Sequence, residues 1–364
     1  MSDSSPARDA SIDPRLRTRV CERFGIDVPI VQTGMGWVSG ANLTAATSAA
    51  GGLGVLAAVT MTPTELEQAV RGVRERTDRP FGVNFRADQP DLVDRLDFVT
   101  ANGASVVSFA GAPTKDAIAR CHDAGVLVMP TVGAERHAEK MLEWGVDAVI
   151  AQGGEGGGHT GPVPTSLLLP AVCDAVASEI PVLGAGGFHS GRGLVAALAY
   201  GADGIAMGTR FLLTAESRVP EQTKARYLAA GVTDTVVTTA IDGAPQRVIR
   251  TEVVDELEAA SPITRFPRAA LAALRFRAET GTSLRDLVKE GLAMRKNQDL
   301  TWSQLALAAN APMLIKATMV DGKPDVGILP TGQVTGVIDE LPTVAEVIAE
   351  ILHEATATLD RLGR

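Results

Sequence analysis

The stretch Asp147-Ala-Val-Ile-Ala-Gln-Gly-Gly-Glu-Gly-Gly-Gly-His-Thr-Gly161 joins a short apolar run directly to a ribbon of glycines carrying one histidine. Such a run reads as a strand buried on both faces, stopping where backbone must come very close to something flat or phosphorylated. His159 stands alone in that setting, and imidazole titrates in the pH range where enzymes work. The competing reading is a flexible loop whose histidine points into water. Two further glycine loops downstream weigh against it.

Outward from this stretch, β-rich runs recur at a nearly fixed interval. They are Ile30–Gln32, Gly54–Ala58, Gly82–Phe85, Ser105–Phe109, Leu127–Pro130, Ala148–Gln152, Val182–Gly184 and Gly204–Met207. Between them lie amphipathic stretches: Leu43–Ala50, Thr64–Glu75, Asp91–Asn102, Lys115–Ala124, Glu135–Trp144, Ser166–Ala177 and Gly191–Tyr200. Gly103, Gly125, Gly145 and Gly201 follow such stretches, where a left-handed capping residue is expected. Strands alternating with helices imply right-handed crossovers and a parallel sheet covered on both faces. Eight of them predict an α/β fold, a (β/α)8 TIM barrel. A doubly wound open sheet is the alternative. It fits less well because Gly51-Gly-Leu-Gly54 precedes a strand, and no GxGxxG opens a helix after the first one.

After Arg250 the pattern turns helical and basic, with Arg265, Arg268, Arg275, Arg277, Arg285, Lys289, Arg295 and Lys296 against few acids. The expected organisation is a disordered tail over 1–20, a barrel over 21–255, a smaller helical cap over 256–330, and a segment over 331–364 returning to the barrel.

The 364 residues are 45% hydrophobic and 21% charged, with a net charge of -9. Those values describe a soluble globular protein and argue against general affinity for nucleic acid or anionic membrane. Met1–Asp13 lacks the apolar core of a signal peptide, and no stretch is long and apolar enough to span a bilayer. Cys21, Cys121 and Cys173 are odd in number and widely spaced, so they read as reduced thiols of a cytoplasmic protein, with no metal site. Cys121-His122 suggests a nucleophile, but its alanine-rich surroundings favour a packed helix face. The oligomeric state, a homo-oligomer included, stays open.

A barrel carries its chemistry at the C-terminal ends of its strands, with a phosphate site after strands seven and eight. Those turns are Gly184-Ala-Gly186-Gly187 and Met207-Gly208-Thr209-Arg210, each offering N–H groups unobstructed by a Cβ. Together they point to a phosphate-bearing cofactor. Strand one ends in Thr33-Gly34-Met35-Gly36-Trp37, strand three in Asn84, and strand six in Gln152-Gly153. The two amides suit the edge of an isoalloxazine ring, and the glycines let backbone approach its face.

The combination Pro29-Ile-Val-Gln-Thr-Gly-Met-Gly, Ala49-Ala-Gly-Gly-Leu-Gly, Phe81-Gly-Val-Asn, Gly157-Gly-His-Thr-Gly, Gly184-Ala-Gly-Gly and Gly208-Thr-Arg-Phe resembles the nitronate monooxygenase family. That family also includes the FMN-dependent enoyl-acyl-carrier-protein reductases. The resemblance covers roughly residues 25 to 250 and implies an FMN-binding barrel with His159 as the catalytic or substrate-positioning residue. A narrower resemblance spans nearly the whole chain. Val31-Gln-Thr-Gly-Met-Gly-Trp-Val, Leu300-Thr-Trp-Ser-Gln, Ala309-Asn-Ala-Pro-Met-Leu and Gly332-Gln-Val-Thr-Gly look like the members of the family that act in steroid C- and D-ring breakdown. That resemblance implies dehydrogenation of the CoA thioester of a hydroxy-methyl-oxo-octahydroindene carboxylic acid, beside the thioester.

For CoA phosphates the basic run supplies Arg275 and Arg277. Trp37, Trp302 and Gln333 are expected around the substrate. NAD is the expected electron partner. The rival functions are nitronate monooxygenation, enoyl-thioester reduction, and a non-catalytic flavin-binding protein.

Overall fold

A computed structural model describes residues 12–259 and 302–363 of the chain, with side chains from residue 311 onward in the second span. Eight parallel strands close into a barrel in the order β1, β2, β3, β4, β5, β6, β8, β9. They are β1 (Ile30–Gln32), β2 (Leu53–Ala57), β3 (Phe81–Phe85), β4 (Val106–Phe109), β5 (Leu127–Val132), β6 (Val149–Gln152), β8 (Val182–Ala185) and β9 (Gly204–Met207). Each lies within two residues of the run read from the sequence. The closing pair, Ile30 with Ile205 through Gln32 with Met207, leaves no open edge.

Seven helices cross over between these strands: α2 (Ala41–Ala49), α3 (Pro63–Arg74), α4 (Leu92–Ala101), α5 (Lys115–Asp123), α6 (Glu135–Glu143), α7 (Thr165–Val176) and α8 (Gly191–Ala199). Alternation along each strand divides the side chains. Val31, Val55, Val106, Met129, Ile150, Leu183 and Ala206 fill the lumen, whereas Ile30, Leu56, Val83, Val107, Val128, Val149, Val182 and Ile205 pack beneath the helices. Cys121 sits on the inner face of α5, fully buried, and burial pushes its thiol up to about 12. It is a packing residue.

Part of the span expected as a disordered tail over 1–20 is structured. Pro14–Leu16 forms a 3-10 turn, and α1 (Arg19–Phe24) places Val20, Cys21 and Phe24 against the lumen residues. The short helix thus plugs the N-terminal end of the barrel. The reason is apolar burial: Leu16 and Val20 are entirely withdrawn from water.

A second sheet, absent from the sequence reading, lies over the other end. It is antiparallel, in the order β10, β11, β7, with β7 (Gly158–His159), β10 (Thr235–Thr238) and β11 (Gln246–Ile249). Beyond β9 the helices are α9 (Thr209–Leu212), α10 (Glu221–Leu228), α11 (Glu252–Ala259), α12 (Trp302–Met319) and α13 (Val344–Arg361). Val254 of α11, Ala311 of α12, Ile241, Val248 and Ile328 form a separate small core. Thr343 and Glu346 cap α13 reciprocally. That helix packs against α8 and α2, meeting α8 at Gly191, where a Cβ would stand 2.3 Å from the backbone of Ala355.

Candidate active site

The turns after β8, β9 and β1 are neighbours because those three strands are consecutive around the barrel. Gly186 and Gly187 adopt φ of 90° and 84°, in the left-handed region that favours glycine. A Cβ on Gly186 would stand 2.9 Å from the Gly153 carbonyl and 3.0 Å from Thr165 Oγ1. Among the described residues no carbonyl or side chain accepts from the N–H of either glycine. The turn therefore presents two free donors, with no room for a side chain at Gly186, which is what a phosphoryl group needs. Beside it, Gly208 opens α9 close to Met35, whose Sδ a Cβ at that glycine would meet at 3.3 Å. Thr209 is buried and accepts from the Gly332 N–H at 2.9 Å.

Strand parity places Asn84, Ser108 and Gln152 on the same inward face as Gly82, Val106 and Ile150. The lumen is thus apolar below and polar at the mouth. Asn84 Nδ2 donates weakly to Ser108 Oγ at 3.4 Å. Gly34 packs so closely on Asn84 that a Cβ there would fall 2.3 Å from Asn84 Cβ. Gly36 is crowded by Thr60, whose Cγ2 a Cβ there would meet at 2.9 Å. Trp37, at φ 61°, is the only non-glycine with positive φ among the described residues. Its N–H donates to Thr60 Oγ1 at 3.1 Å and its carbonyl accepts from Arg218 Nε at 2.6 Å, which holds this costly backbone at the mouth.

The glycine ribbon is pinned rather than flexible. Gly154 donates to Val163 O at 2.7 Å, and its carbonyl accepts from Arg247 Nε and Nη2 at 3.1 and 2.8 Å. Glu155 accepts from the N–H and hydroxyl of Thr165, and its carbonyl accepts from the Gln333 N–H at 3.0 Å. Gln152 Nε2 donates to the His159 carbonyl at 2.8 Å. The His159 ring, 62% exposed, sets Nε2 2.8 Å from Oδ2 of Asp242, whose side chain is only 13% exposed. Burial raises the Asp242 carboxyl, but the hydrogen bond and charge of His159, together with the hydrogen bonds from the Ala244 N–H and Gln246, outweigh it and hold the group below its ordinary value.

The structure therefore gathers Gly34, Met35, Gly36, Trp37, Asn84, Gln152, Gly153, His159, Gly186, Gly187, Gly208, Thr209 and Gln333 at one end of the barrel. Arg275 and Arg277 lie outside the described residues, as does the side chain of Trp302, which starts α12. Sequence reasoning missed Ser108, Arg247 and Asp242. The Asp242-Gly243 pair between two β-rich runs is a hairpin signal that points to the last two.

A (β/α)8 barrel with unused glycine N–H groups in the turn after β8 and a histidine ribbon at the same end is similar in form to barrels that hold phosphorylated ligands there. The profile of the nitronate monooxygenase family matches residues 17–99 and 92–354, and the chain belongs to that family of oxidoreductases. It is 54% identical over 346 residues to the (3aS,4S,5R,7aS)-5-hydroxy-7a-methyl-1-oxo-octahydro-1H-indene-4-carboxyl-CoA dehydrogenase of Mycobacterium tuberculosis, covering 95% of this chain and 98% of that one. A Rhodococcus jostii protein of the same name is 53% identical over 348 residues, with 96% and 98% covered. Among solved structures, FabK from Thermotoga maritima superposes with a TM-score of 0.76 at 33% identity, over 95% of this chain and 98% of that one. A nitroalkane oxidase from Streptomyces ansochromogenes gives 0.72 at 28%, over 93% and 98%. No helix among the described residues is long and apolar enough to cross a membrane.

Proposed function

We propose that the chain is an FMN-dependent dehydrogenase of a bicyclic, steroid-derived acyl-CoA thioester, the hydroxy-methyl-oxo-octahydroindene-carboxyl-CoA, working in cholesterol and steroid ring degradation. The observation that carries this reading is identity of 53–54% over nearly the whole chain with two proteins bearing that name. In it, Gly186, Gly187, Gly208 and Thr209 hold the cofactor phosphate, while Gly34, Met35, Gly36, Asn84, Gln152 and Gly153 receive the ring. FMN bound there supplies the acceptor for a hydride. The chain supplies position and a proton acceptor.

The thioester carbonyl acidifies the neighbouring α-proton, His159 takes that proton, and hydride leaves the β-carbon. In its protonated form His159 can instead donate to the thioester oxygen, where negative charge develops. Trp37, Trp302 and Gln333 bound the substrate. Arg275 and Arg277 meet the CoA phosphates. NAD recycles the flavin, and the three buried free thiols suit a reducing cytoplasm.

Anaerobic titration of the flavoprotein tests the reading. The CoA thioester should bleach the flavin band, and failure to do so overturns the proposal. The family match and the nitroalkane oxidase fold favour nitronate oxidation as a second reading. Bleaching by propionate nitronate followed by reoxidation in air supports it. Flavin reduced by NADH and reoxidised by an enoyl thioester supports the reductase reading, and a colourless protein supports none of the three. Reversing Arg275 and Arg277 to Glu together should weaken CoA-thioester affinity about tenfold and leave a truncated thioester nearly unaffected. Equal loss for both ligands removes the two arginines from CoA binding.

A further inference from the structure

The turn Asp242-Gly243-Ala244-Pro245 leads into β11 and stands against the glycine ribbon. Asp242 uses both oxygens: Oδ1 accepts from the Ala244 N–H at 3.0 Å, and Oδ2 accepts from Gln246 Nε2 at 2.5 Å and faces His159 Nε2 at 2.8 Å. Its direction is therefore set by its own turn and strand, independently of the histidine. The histidine backbone is fixed as firmly. His159 pairs with Gln246 across the sheet, its carbonyl accepts from Gln152 Nε2, and the next residue, Thr160, donates its N–H to Pro245 O at 3.1 Å. A carboxylate accepts and cannot donate, so its presence at Nε2 puts the proton there. Nδ1 then carries the lone pair, and among the described residues it has no protein partner.

We propose that Asp242 is a positioning residue for the reaction: it holds His159 as the Nε2–H tautomer, leaving Nδ1 as the atom that takes the substrate α-proton. The proposal rests on the reading of His159 as the base. In the step, the α-proton moves to Nδ1 and its bonding pair stays on the substrate as the enolate, from which hydride leaves the β-carbon to the acceptor named above. Asp242 remains ionised throughout, and the imidazolium later returns its proton to water.

Electrostatics favours the same assignment. A carboxylate withdrawn from water is costly against neutral partners such as the Gln246 amide and the Ala244 N–H. It becomes favourable when the ring beside it gains a positive charge, so the pair is tuned to the product of proton transfer rather than to the resting state. The other charged groups on the elements around His159 are committed elsewhere. Arg247 of β11 is bound to Gly154 O and Thr235 Oγ1, and Glu155 of the ribbon to Thr165. Neither competes with Asp242 for the ring.

The test uses the flavin-loaded full chain, wild type against Asp242→Asn and Asp242→Glu, with two readouts. The first is the pH profile of flavin reduction by the CoA thioester in stopped flow. Asp242→Asn should slow reduction at neutral pH about tenfold or more and move the acid limb to lower pH, because the imidazolium loses its counter-charge, while Asp242→Glu recovers much of both. The second is nitrogen-15 NMR of the His159 ring above its titration, which should show Nε2–H in the wild type and a shift toward Nδ1–H in Asp242→Asn. A rate within twofold of wild type, with an unmoved acid limb and an unchanged tautomer, overturns the proposal. So does an Nδ1–H tautomer in the wild type, which decides the matter even if Asp242→Asn fails to keep its flavin. If His159→Ala reduces normally, the base assignment itself has failed. If His159→Ala is crippled and Asp242→Asn is silent, only the role of Asp242 has.

Discussion

Each end of the barrel carries a histidine–aspartate pair at 2.8 Å, and the two pairs live in opposite surroundings. At the N-terminal end, Asp147 is almost wholly buried and accepts from His122, from the Val128 N–H at 2.7 Å and from Arg23 of the plugging helix. Nearby, Asp203 does the same with the Val182 N–H and with Arg19, one helical turn before Arg23. These carboxylates fasten α1 beneath the strands, and every acceptor oxygen faces a structural donor. At the C-terminal end, Asp242 holds its own turn through the Ala244 N–H and Gln246, and its other contact is to a histidine ring that is 62% exposed. The chemistry is similar and the consequence differs, because only the second pair stands at the end of the barrel that carries the glycine turns after β8 and β9. Strand direction underlies this: the C-terminal ends deliver turns with unused N–H groups, the N-terminal ends are closed by packing.

The sharpest way to break that contrast is His159→Ala. Flavin should stay bound while its reduction by the CoA thioester slows by about 10²–10⁴-fold, the usual worth of a positioned proton acceptor. An unchanged stopped-flow rate would remove the functional half of the comparison. Gly186→Ala comes next. A side chain at φ 90°, 2.9 Å from the Gly153 carbonyl, carries strain of about 1–3 kcal/mol. Flavin content after dialysis should fall accordingly, by roughly ten- to a hundredfold in affinity, and full retention would mean the cradle holds something else.

Asp147→Asn probes the opposite end. Leaving the Val128 N–H, Arg23 and His122 with a poorer partner should cost about 1–3 kcal/mol in the denaturant midpoint, with the reduction rate per bound flavin unaltered. Loss of rate without loss of stability would show that the two ends are coupled. The smallest effect concerns acid. The folded Asp242 carboxyl sits below its ordinary 3.8, so its contribution to stability is present above that value and fades as pH falls through the folded value. The melting-temperature gap between wild type and Asp242→Asn should therefore be open at neutral pH and close in strong acid. A gap independent of pH would assign the effect to shape alone.

Most of the barrel was legible because its strands are bounded locally. Val182–Ala185 and Gly204–Met207 are apolar runs with glycine immediately after or before them, and burial on both faces leaves them few other arrangements. Gly145 and Gly201 follow their helices at φ 83° and 92°, where the sequence placed left-handed caps. The small antiparallel sheet was not legible. Its β7 strand is two residues of a glycine ribbon, and its partner Gln246–Arg247 comes from a hairpin far along the chain. Local patterning carries no information on a pairing between segments so distant.

By itself, the chain of residues determined the eight-fold alternation, the glycine turns after β8 and β9, and the presence of one histidine beside them, since each follows from periodicity or from backbone freedom within a few residues. Tertiary structure alone decided that α1 seals one mouth, that the ribbon is rigid, and that Asp242 meets His159 across 83 positions of sequence. Such contacts arise from closure of the barrel, where the energy of bringing distant groups together is set by the whole packed shell and not by any one segment.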